Sequence, residues 1–491
     1  MSSNRPVLAR LTTGSAAFDR ILGGGIPARS VTVIAGEPGA GKTLFSLQML
    51  FALARQGRKG LYLTTLSEPS LKLVQYMQQF SFFDESLTER GIVFADLGSV
   101  IRRNADATLG EIAGRVEREE PELVVIDSFK AVRGILGDPS ALRTFVYDLA
   151  VHTAGWGAAS LLVGEYTEAE IASESEFAIA DGIIRFTSSR RGLTAVREVE
   201  VSKLRGADYV TGRHFFEIGP DGLAFVPRVR GPDGLAAESA GTDSRRVSIP
   251  ERASTGVAGL DAMLEGGPPR GSTTLVQGGT GTGKTLLGLQ FLLEGAQRGE
   301  PGVHFTLEET PDQLRGFAHG LGWDLQAFEE RGLVRLSYTS PIELSTDLFL
   351  ERACREVNEL GARRAVLDSL TSAALGVASG RRFKELVYAL TKHFIARGVT
   401  LSMNMEVTDL LGSAQLSGHG LSFAADNLIR LTYLEIEGRL ERGLSVLKAR
   451  GVRHATDVRR LSVDRGGVEV GSPFAGMRGV LTGLPVPSKE P

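Results

Sequence analysis

Short runs of apolar, mostly β-branched residues alternate along the chain with longer amphipathic stretches. Residues 31–35 and 61–64 are of the first kind, and residues 44–54 are of the second. This alternation predicts parallel strands connected by helices, that is, a mostly parallel twisted sheet with helices on both faces. Residues 183–201 and 428–447 are strand-rich and contain glycine turns, so we expect them to extend the sheet with antiparallel strands.

The two halves of the chain repeat one another with a shift of 241 or 242 residues. Matching pairs of segments are 13–14 with 255–256, 24–25 with 266–267, 89–93 with 330–334, 124–128 with 365–369, and, at a shift of 245, 203–206 with 448–451. A period of this length is too long for a solenoid, whose repeats span ~20–45 residues. Each copy is therefore expected to be a complete α/β domain with its own core.

The limits of the two domains follow from the repeat and from local composition. We predict a first domain over residues 1–230 and a second over residues 251–473. Residues 231–250 contain Gly-Pro-Asp-Gly and a run of small residues, which is typical of a linker. Residues 474–491 have no clear periodicity and are predicted to form a C-terminal tail.

Composition and charge exclude several classes of protein. Apolar residues make up 42% of the chain and charged residues 23%, which is ordinary for a globular protein. The formal charge of −3 provides no overall basic field, so nucleic acid is an unfavoured partner. A single cysteine, Cys354, excludes intramolecular disulfides, and no long apolar run or leader pattern is present. We therefore expect a cytoplasmic protein without a membrane span.

The pattern GxxxxGK[ST] occurs twice, at residues 36–43 and 278–285, each time between a strand-like run and a helix-like run. Glycines allow the backbone to wrap closely around phosphate, and the helix N-terminus adds converging N–H groups. The predicted phosphate-binding residues are Gly36, Gly39, Ala40, Gly41, Lys42, Thr43 and Leu44, with Gly278, Thr280, Gly281, Thr282, Gly283, Lys284, Thr285 and Leu286 in the second copy. Thr43 and Thr285 are predicted ligands of Mg²⁺.

Asp127 and Asp368 each end a strongly apolar run. A parallel strand delivers such a carboxylate to the edge of the sheet where ligands bind, so both residues are predicted to hold Mg²⁺. The alternative is that each aspartate caps the helix that follows.

Hydrolysis of a nucleotide also needs a group that orients or deprotonates the attacking water. Glu308 and Glu309 follow a predicted strand in the second copy and are candidates for this role. The ungapped equivalent in the first copy places Ser67 at the first position and Glu68 at the second. These glutamates could instead cap the next helix.

With these motifs and the late Lys-x-Arg-Gly motifs, the chain resembles the KaiC family of RecA-like P-loop ATPases over nearly its whole length. The resemblance implies a homohexameric double ring with ATP bound between subunits. It further implies that residues late in each copy, most of them basic, contact the nucleotide of the neighbouring subunit. These residues are Arg197, Lys203, Leu204 and Arg205, with Arg442, Lys448, Ala449 and Arg450 in the second copy.

Clock-type members of this family phosphorylate adjacent hydroxyl residues in their second domain. The matching stretch of this chain retains one hydroxyl, at Ser422, and the first copy has Phe177 at the equivalent position. Ser422 is therefore the candidate phosphoacceptor of a serine/threonine autokinase, with Ser417 a weaker candidate. An ordinary helix or capping serine is the alternative.

Three functions remain in order of preference. The first is a ring-forming ATPase with autokinase activity in signalling or circadian-type timing. The second is a DNA-handling relative of the recombinase or helicase kind, and the third is a nucleotide-gated scaffold for a protein partner. The tail, residues 474–491, is a possible docking segment for such a partner.

Overall fold

The computed structural model divides the chain into two compact units, Met1–Arg228 and Val229–Pro491, called here the first and second domains. The residues that it describes are 8–65, 70–101, 105–136, 138–191, 194–228, 251–377, 379–407, 424–475, 477–478 and 486–487. The predicted linker lies outside these residues.

The first domain contains eleven strands and ten helices in its described part. The strands are β1 (Arg10–Leu11), β2 (Ile26–Pro27), β3 (Val31–Gly36), β4 (Gly60–Thr64), β5 (Ile92–Asp96), β6 (Leu123–Asp127), β7 (Ala159–Glu165), β8 (Gly182–Arg191), β9 (Thr194–Leu204), β10 (Arg213–Gly219) and β11 (Gly222–Val226). The helices are α1 (Ala16–Ile21), α2 (Lys42–Arg55), α3 (Ser70–Met77), α4 (Glu85–Arg90), α5 (Gly98–Ile101), α6 (Ala105–Glu119), α7 (Phe129–Leu136), α8 (Pro139–Trp156), α9 (Glu168–Ser173) and α10 (Ser175–Ile179).

The second domain repeats this arrangement. Its strands are β12 (Thr273–Gly278), β13 (Gly302–Thr306), β14 (Val334–Tyr338), β15 (Arg364–Asp368), β16 (Thr400–Glu406), β17 (Asn427–Ile436), β18 (Arg439–Ala449), β19 (Arg459–Asp464), β20 (Gly467–Pro473), β21 (Met477–Arg478) and β22 (Val486–Pro487). Its helices are α11 (Ala258–Met263), α12 (Lys284–Gln297), α13 (Pro311–Gly320), α14 (Leu325–Glu330), α15 (Thr346–Leu360), α16 (Leu370–Gly376) and α17 (Gly380–Ala396), with a 3-10 helix at Pro341–Glu343.

Each domain is built on a nine-stranded sheet with the same topology. The strand orders are β11-β10-β9-β8-β3-β7-β6-β4-β5 and β14-β13-β15-β16-β12-β17-β18-β19-β20. Six neighbouring strands of each sheet run parallel, and the last strands of each domain add antiparallel pairs at one side. The predicted fold class, two tandem RecA-like α/β domains, is confirmed, including the antiparallel extensions.

The topology brings the sequence motifs together. The strand that precedes each phosphate loop, β3 or β12, is separated from the strand that ends in the aspartate, β6 or β15, by a single strand. Because these strands are parallel, their carboxyl ends meet at one edge of the sheet, which is where ligands bind in open α/β sheets.

The two cores differ where the phosphate-loop helix packs on the sheet. In the first domain, Phe18 stacks on Phe225 with ring centroids 4.2 Å apart and meets Phe45 edge-on at 5.4 Å. Phe186 and Phe216 complete this aromatic cluster. The equivalent positions of the second domain are Leu260, Leu287, Leu431, Leu461 and Val470, and a small cavity of about 20 Å³ lies between Leu260, Leu287 and Phe291. Positions that carry aromatic rings in the first core therefore carry aliphatic side chains in the second.

Candidate nucleotide-binding sites

Each phosphate loop connects the central strand to the helix through positions with positive φ, a backbone conformation that glycine adopts without strain. Gly41 and Gly283 are the N-caps of α2 and α12, with φ of 95° and 105°. Gly39 and Gly281 also have positive φ, 73° and 75°. Residues 36–44 and 278–286 therefore lie where predicted, in the loop and the first helical turn. The free N–H groups of this turn suit a bound anion.

The two loop lysines fold back onto their own loops. The Nζ of Lys42 donates to the carbonyl of Glu37 at 2.7 Å. The Nζ of Lys284 donates to the carbonyls of Gly278 and Gly279 at 3.0 and 2.8 Å. Burial lowers the pKa of both lysines, and neighbouring carboxylates oppose the shift. Both ammonium groups thus lie inside an acidic, partly buried loop.

The predicted Mg²⁺ ligands of the first domain are in contact. The hydroxyl of Thr43 donates to Oδ2 of Asp127 at 2.7 Å. The hydroxyl of Tyr62, on the neighbouring strand β4, donates to the same oxygen at 2.7 Å. Tyr62 was missed by the sequence analysis, since a tyrosine inside an apolar strand gives no motif signal.

Asp368 occupies the same place in the second domain but is more deeply buried, with 2% of its surface exposed. Burial raises the pKa of Asp368 to about 6, and the nearby side chains of Thr285 and Asn404 oppose the shift. The helix that follows is capped by Ser369, whose hydroxyl accepts from the N–H of Ser372. The alternative that Asp368 serves as this cap is therefore wrong.

The carboxylates of Glu308 and Glu309 differ in their hydrogen bonding. Oε1 of Glu308 accepts hydrogen bonds from the hydroxyls of Ser369 and Ser372. Oε2 of Glu309 is buried without a hydrogen-bond partner, and burial raises the pKa of this carboxyl. Thr310 caps α13 together with Gln313, so the alternative that the two glutamates cap this helix is wrong.

Glu68 lies outside the described residues, but the register before it corrects the ungapped alignment. Thr64 pairs with Asp127 as Thr306 pairs with Asp368, and the N–H of Thr65 binds the carbonyl of Asp127. Leu307 makes the bond that corresponds to that of Thr65. Thr64 and Thr65 therefore match Thr306 and Leu307, a shift of 242 residues. Glu68 and Glu309 are 241 residues apart, so they match only if the first domain has one extra residue between Thr65 and Glu68.

A cavity of about 510 Å³ opens beside the second phosphate loop. Glu309, Lys284 and Thr285 line it at one end. An apolar wall also lines it and consists of Leu286 and of residues on and just after α13, which are Gly316, Phe317, Gly320 and Leu321. This apolar wall was also missed by the sequence analysis, because helix α13 is recognisable only as an amphipathic stretch.

The late basic motifs contact their own domains. Nζ of Lys203 donates to the carbonyl of Ala178 at 3.2 Å, and Nζ of Lys448 donates to the carbonyl of Ala425 at 2.6 Å. Burial, followed by the charge of the neighbouring arginine, lowers the pKa of both lysines. Leu204 is buried and Ala449 is partly buried at the strand ends.

The arginines of these motifs are less uniform. Arg205 and Arg450 are about 60% exposed and lie 3.3 and 3.8 Å from Asp181 and Asp426. Nε of Arg442 donates to the carbonyl of Gly281 in its own phosphate loop at 3.2 Å. Nε of Arg197 is buried without a hydrogen-bond partner. Contacts of these residues across a subunit boundary stay a prediction, as does phosphorylation of Ser422, which lies outside the described residues.

Sheets of this strand order, with a phosphate loop after a central strand and an aspartate two strands away, define a tandem RecA-like P-loop NTPase. Comparison with known families then identifies the particular branch. A model of the KaiC ATPase matches residues 11–230 and again residues 253–474. The chain therefore belongs to the KaiC family of ATPases.

Curated relatives agree over nearly the full length. The chain is 29% identical over 493 residues to "Circadian clock protein KaiC3" of Synechocystis sp. (strain ATCC 27184 / PCC 6803 / Kazusa), covering 98% of this chain and 95% of the relative. It is 27% identical over 499 residues to "Circadian clock oscillator protein KaiC" of Acaryochloris marina (strain MBIC 11017), covering 98% and 92%. Within the part of the chain that the structure describes, no helix is long and apolar enough to cross a membrane.

Proposed function

We propose that the chain binds ATP with Mg²⁺ at both phosphate loops and hydrolyses ATP at the second. The observation that carries this proposal is the position of Glu309, which lines one cavity with Lys284 and Thr285. A carboxylate, a phosphate-loop lysine and a metal-ligating hydroxyl around one space are the parts that hydrolysis of a terminal phosphate requires.

Each residue has a definite role in this proposal. The loop N–H groups and Lys284 bind the phosphates, while Thr285 and Asp368 would hold Mg²⁺, which neutralises charge on the phosphate oxygens. Glu309 accepts a proton from the attacking water. The oxygen of this water bonds to the γ-phosphorus while the bond between the γ-phosphorus and the ADP oxygen breaks. Because burial raises the pKa of Glu309, its carboxylate is a stronger base than an exposed glutamate.

The apolar part of the cavity is proposed to receive the base of the nucleotide. Phe317 is 45% exposed in the described structure, and Gly316 and Gly320 leave room beside it. An exposed aromatic ring beside two glycines provides a flat surface on which a purine can stack.

We further propose that the chain assembles into a homohexameric double ring. Support comes from the family, and from two large apolar side chains on neighbouring elements, Ile342 and Leu375, which are 83% and 81% exposed. Lys42→Ala is expected mainly to impair assembly, and Lys284→Ala to remove phosphotransfer. Native mass spectrometry with ATP tests this, and an intact ring from the Lys42 variant would count against it.

The names of the two relatives describe circadian clock proteins. We propose a related role for this chain, in which ATP-driven states serve signalling or timing and Ser422 is the phosphoacceptor of an autokinase. Phosphopeptide mapping after incubation with ATP and Mg²⁺ should find label on Ser422. Label confined to other residues would contradict this part of the proposal.

One experiment separates the candidate functions. Purified full-length protein is incubated with γ-labelled ATP, and both released phosphate and protein-bound label are followed. Release alone indicates an ATPase, release with bound label indicates an autokinase as well, and neither indicates a scaffold. A rate that increases strongly with added DNA would favour the recombinase or helicase alternative.

A further inference from the structure

Two glutamates outside every recognised motif lie beside the phosphate loops. Glu165 is the last residue of β7 and Glu406 is the last residue of β16. In the parallel sheet, Glu165 pairs with Gly36 and Glu406 pairs with Gly278, the first glycine of each loop. Neighbouring strands are ~4.8 Å apart, so the backbone of each glutamate lies one strand spacing from the start of the phosphate loop.

The second of these glutamates is fixed from two directions. Its backbone N–H donates to the hydroxyl of Thr371 at 2.9 Å. Its Oε1 accepts a hydrogen bond from the hydroxyl of Thr280, the third residue of the phosphate loop. Glu406 is therefore held against the loop. Pro38 occupies the place of Thr280 in the first loop and has no hydroxyl to offer.

Both glutamates lie close enough to the loop lysines for their charge to raise the pKa of the lysine. Among the carboxylates that raise the pKa of Lys284, Glu406 ranks ahead of Asp368, Glu308 and Glu309. Among those that raise the pKa of Lys42, Glu165 ranks ahead of Asp127 and Glu37. The same order in both domains agrees with the strand register.

We propose that Glu406, and Glu165 in the first domain, face the terminal phosphate of the nucleotide and set the balance between triphosphate and diphosphate binding. The inference rests on the proposed nucleotide sites. The loop lysine reaches the β- and γ-phosphates, and the glutamate lies beside that lysine. Its negative charge repels the γ-phosphate more than the β-phosphate, so it weakens ATP binding more than ADP binding.

The test is calorimetric titration of full-length protein with ADP and with a non-hydrolysable ATP analogue, in the presence of Mg²⁺. For each nucleotide, the affinities of the first and second sites are fitted together, and only the affinity of the site that carries the substitution should change. Glu406→Gln is expected to bind the ATP analogue about tenfold more tightly, with a change for ADP of no more than about threefold. Glu165→Gln should do the same at the other site.

Two matched variants separate charge from structure. Glu406→Asp keeps the charge and should keep the wild-type ratio of affinities. Glu330→Gln removes an exposed carboxylate on α14 and should change neither affinity.

An unchanged ratio in a folded Glu406→Gln protein, or weaker binding of the ATP analogue, would overturn the inference. Equal tightening for both nucleotides would overturn it as well. These outcomes differ from a failure of the proposed function, in which the wild-type chain itself would bind neither nucleotide.

Discussion

The two domains share the phosphate loop but differ in the acids around it. Asp127 is partly exposed and accepts from Thr43 and Tyr62, whereas Asp368 is almost fully buried with His304 at the position of that tyrosine. In the second domain, the hydroxyls of Ser369 and Ser372 donate hydrogen bonds to Glu308. In the first domain, the N–H of Ser128, the residue that matches Ser369, donates to the hydroxyl of Thr65. The two copies thus share the backbone of the phosphate loop and differ in the acidic and hydroxyl groups around it.

The largest expected effect concerns the proton acceptor. Glu309→Gln should remove the phosphate release that Lys284→Ala also removes, by at least about a hundredfold, because the amide cannot take a proton from water. Nucleotide binding should remain, since the loop is untouched. Single-turnover phosphate release with parallel binding measurements checks this.

The matched control for that variant is Glu308→Gln, whose side chain bonds Ser369 and Ser372. Its rate should fall less than that of Glu309→Gln. The opposite order would assign the proton acceptor to Glu308.

The next effect is a pH dependence of stability confined to the second domain. His304 is fully buried without a hydrogen-bond partner, and burial lowers its pKa to about 3. The unfolded chain binds this proton near pH 6.5 and the folded chain does not, so stability is lost as pH falls through 6.5. His304 alone contributes a loss of about 2 kcal/mol between pH 7 and pH 5, and Asp368, whose pKa burial raises to about 6, offsets part of it.

Denaturant unfolding of the full-length protein at the two pH values tests this dependence. His304→Leu should remove about half of the loss that the two buried histidines cause, because His393, whose pKa is lowered to about 4 by burial and by Arg397, contributes nearly as much over the same pH range. A dependence that persists in full in His304→Leu would place its origin elsewhere.

A smaller effect distinguishes the two cores. Phe45→Leu opens space in the aromatic cluster of the first domain and should cost about 1–2 kcal/mol. The reverse change, Leu287→Phe, fills the small cavity of the second domain and should cost less or stabilise it. Calorimetric unfolding measures both, and equal costs would show that the two cores are equally packed.

The smallest effect concerns Tyr62. Tyr62→Phe removes one hydrogen bond to Asp127, which is expected to change the Mg²⁺-dependent affinity for nucleotide at the first site by about three- to tenfold. Titration with and without Mg²⁺ measures this. A loss of affinity that is independent of Mg²⁺ would show a general structural defect instead.

The sequence predicted the features that depend on local backbone chemistry. Glycines at 39, 41, 281 and 283 are required where φ is positive, and an apolar run that ends in Asp127 or Asp368 marks a strand end. It did not predict Tyr62, Asn404, Glu165 or Glu406, which reach the site from neighbouring strands. Their roles depend on strand register, which a single sequence does not specify. The strand register also gives a shift of 242 up to Thr65, which the ungapped alignment of Glu68 did not include.

The most direct test of two unequal nucleotide sites in one chain is the number of nucleotides bound. Equilibrium binding of ATP with Mg²⁺ should give two nucleotides per wild-type chain with different affinities. Lys42→Ala and Lys284→Ala should each reduce the number to one, and the affinity that remains should differ between them. A single nucleotide per wild-type chain, or the same remaining affinity in both variants, would contradict the account.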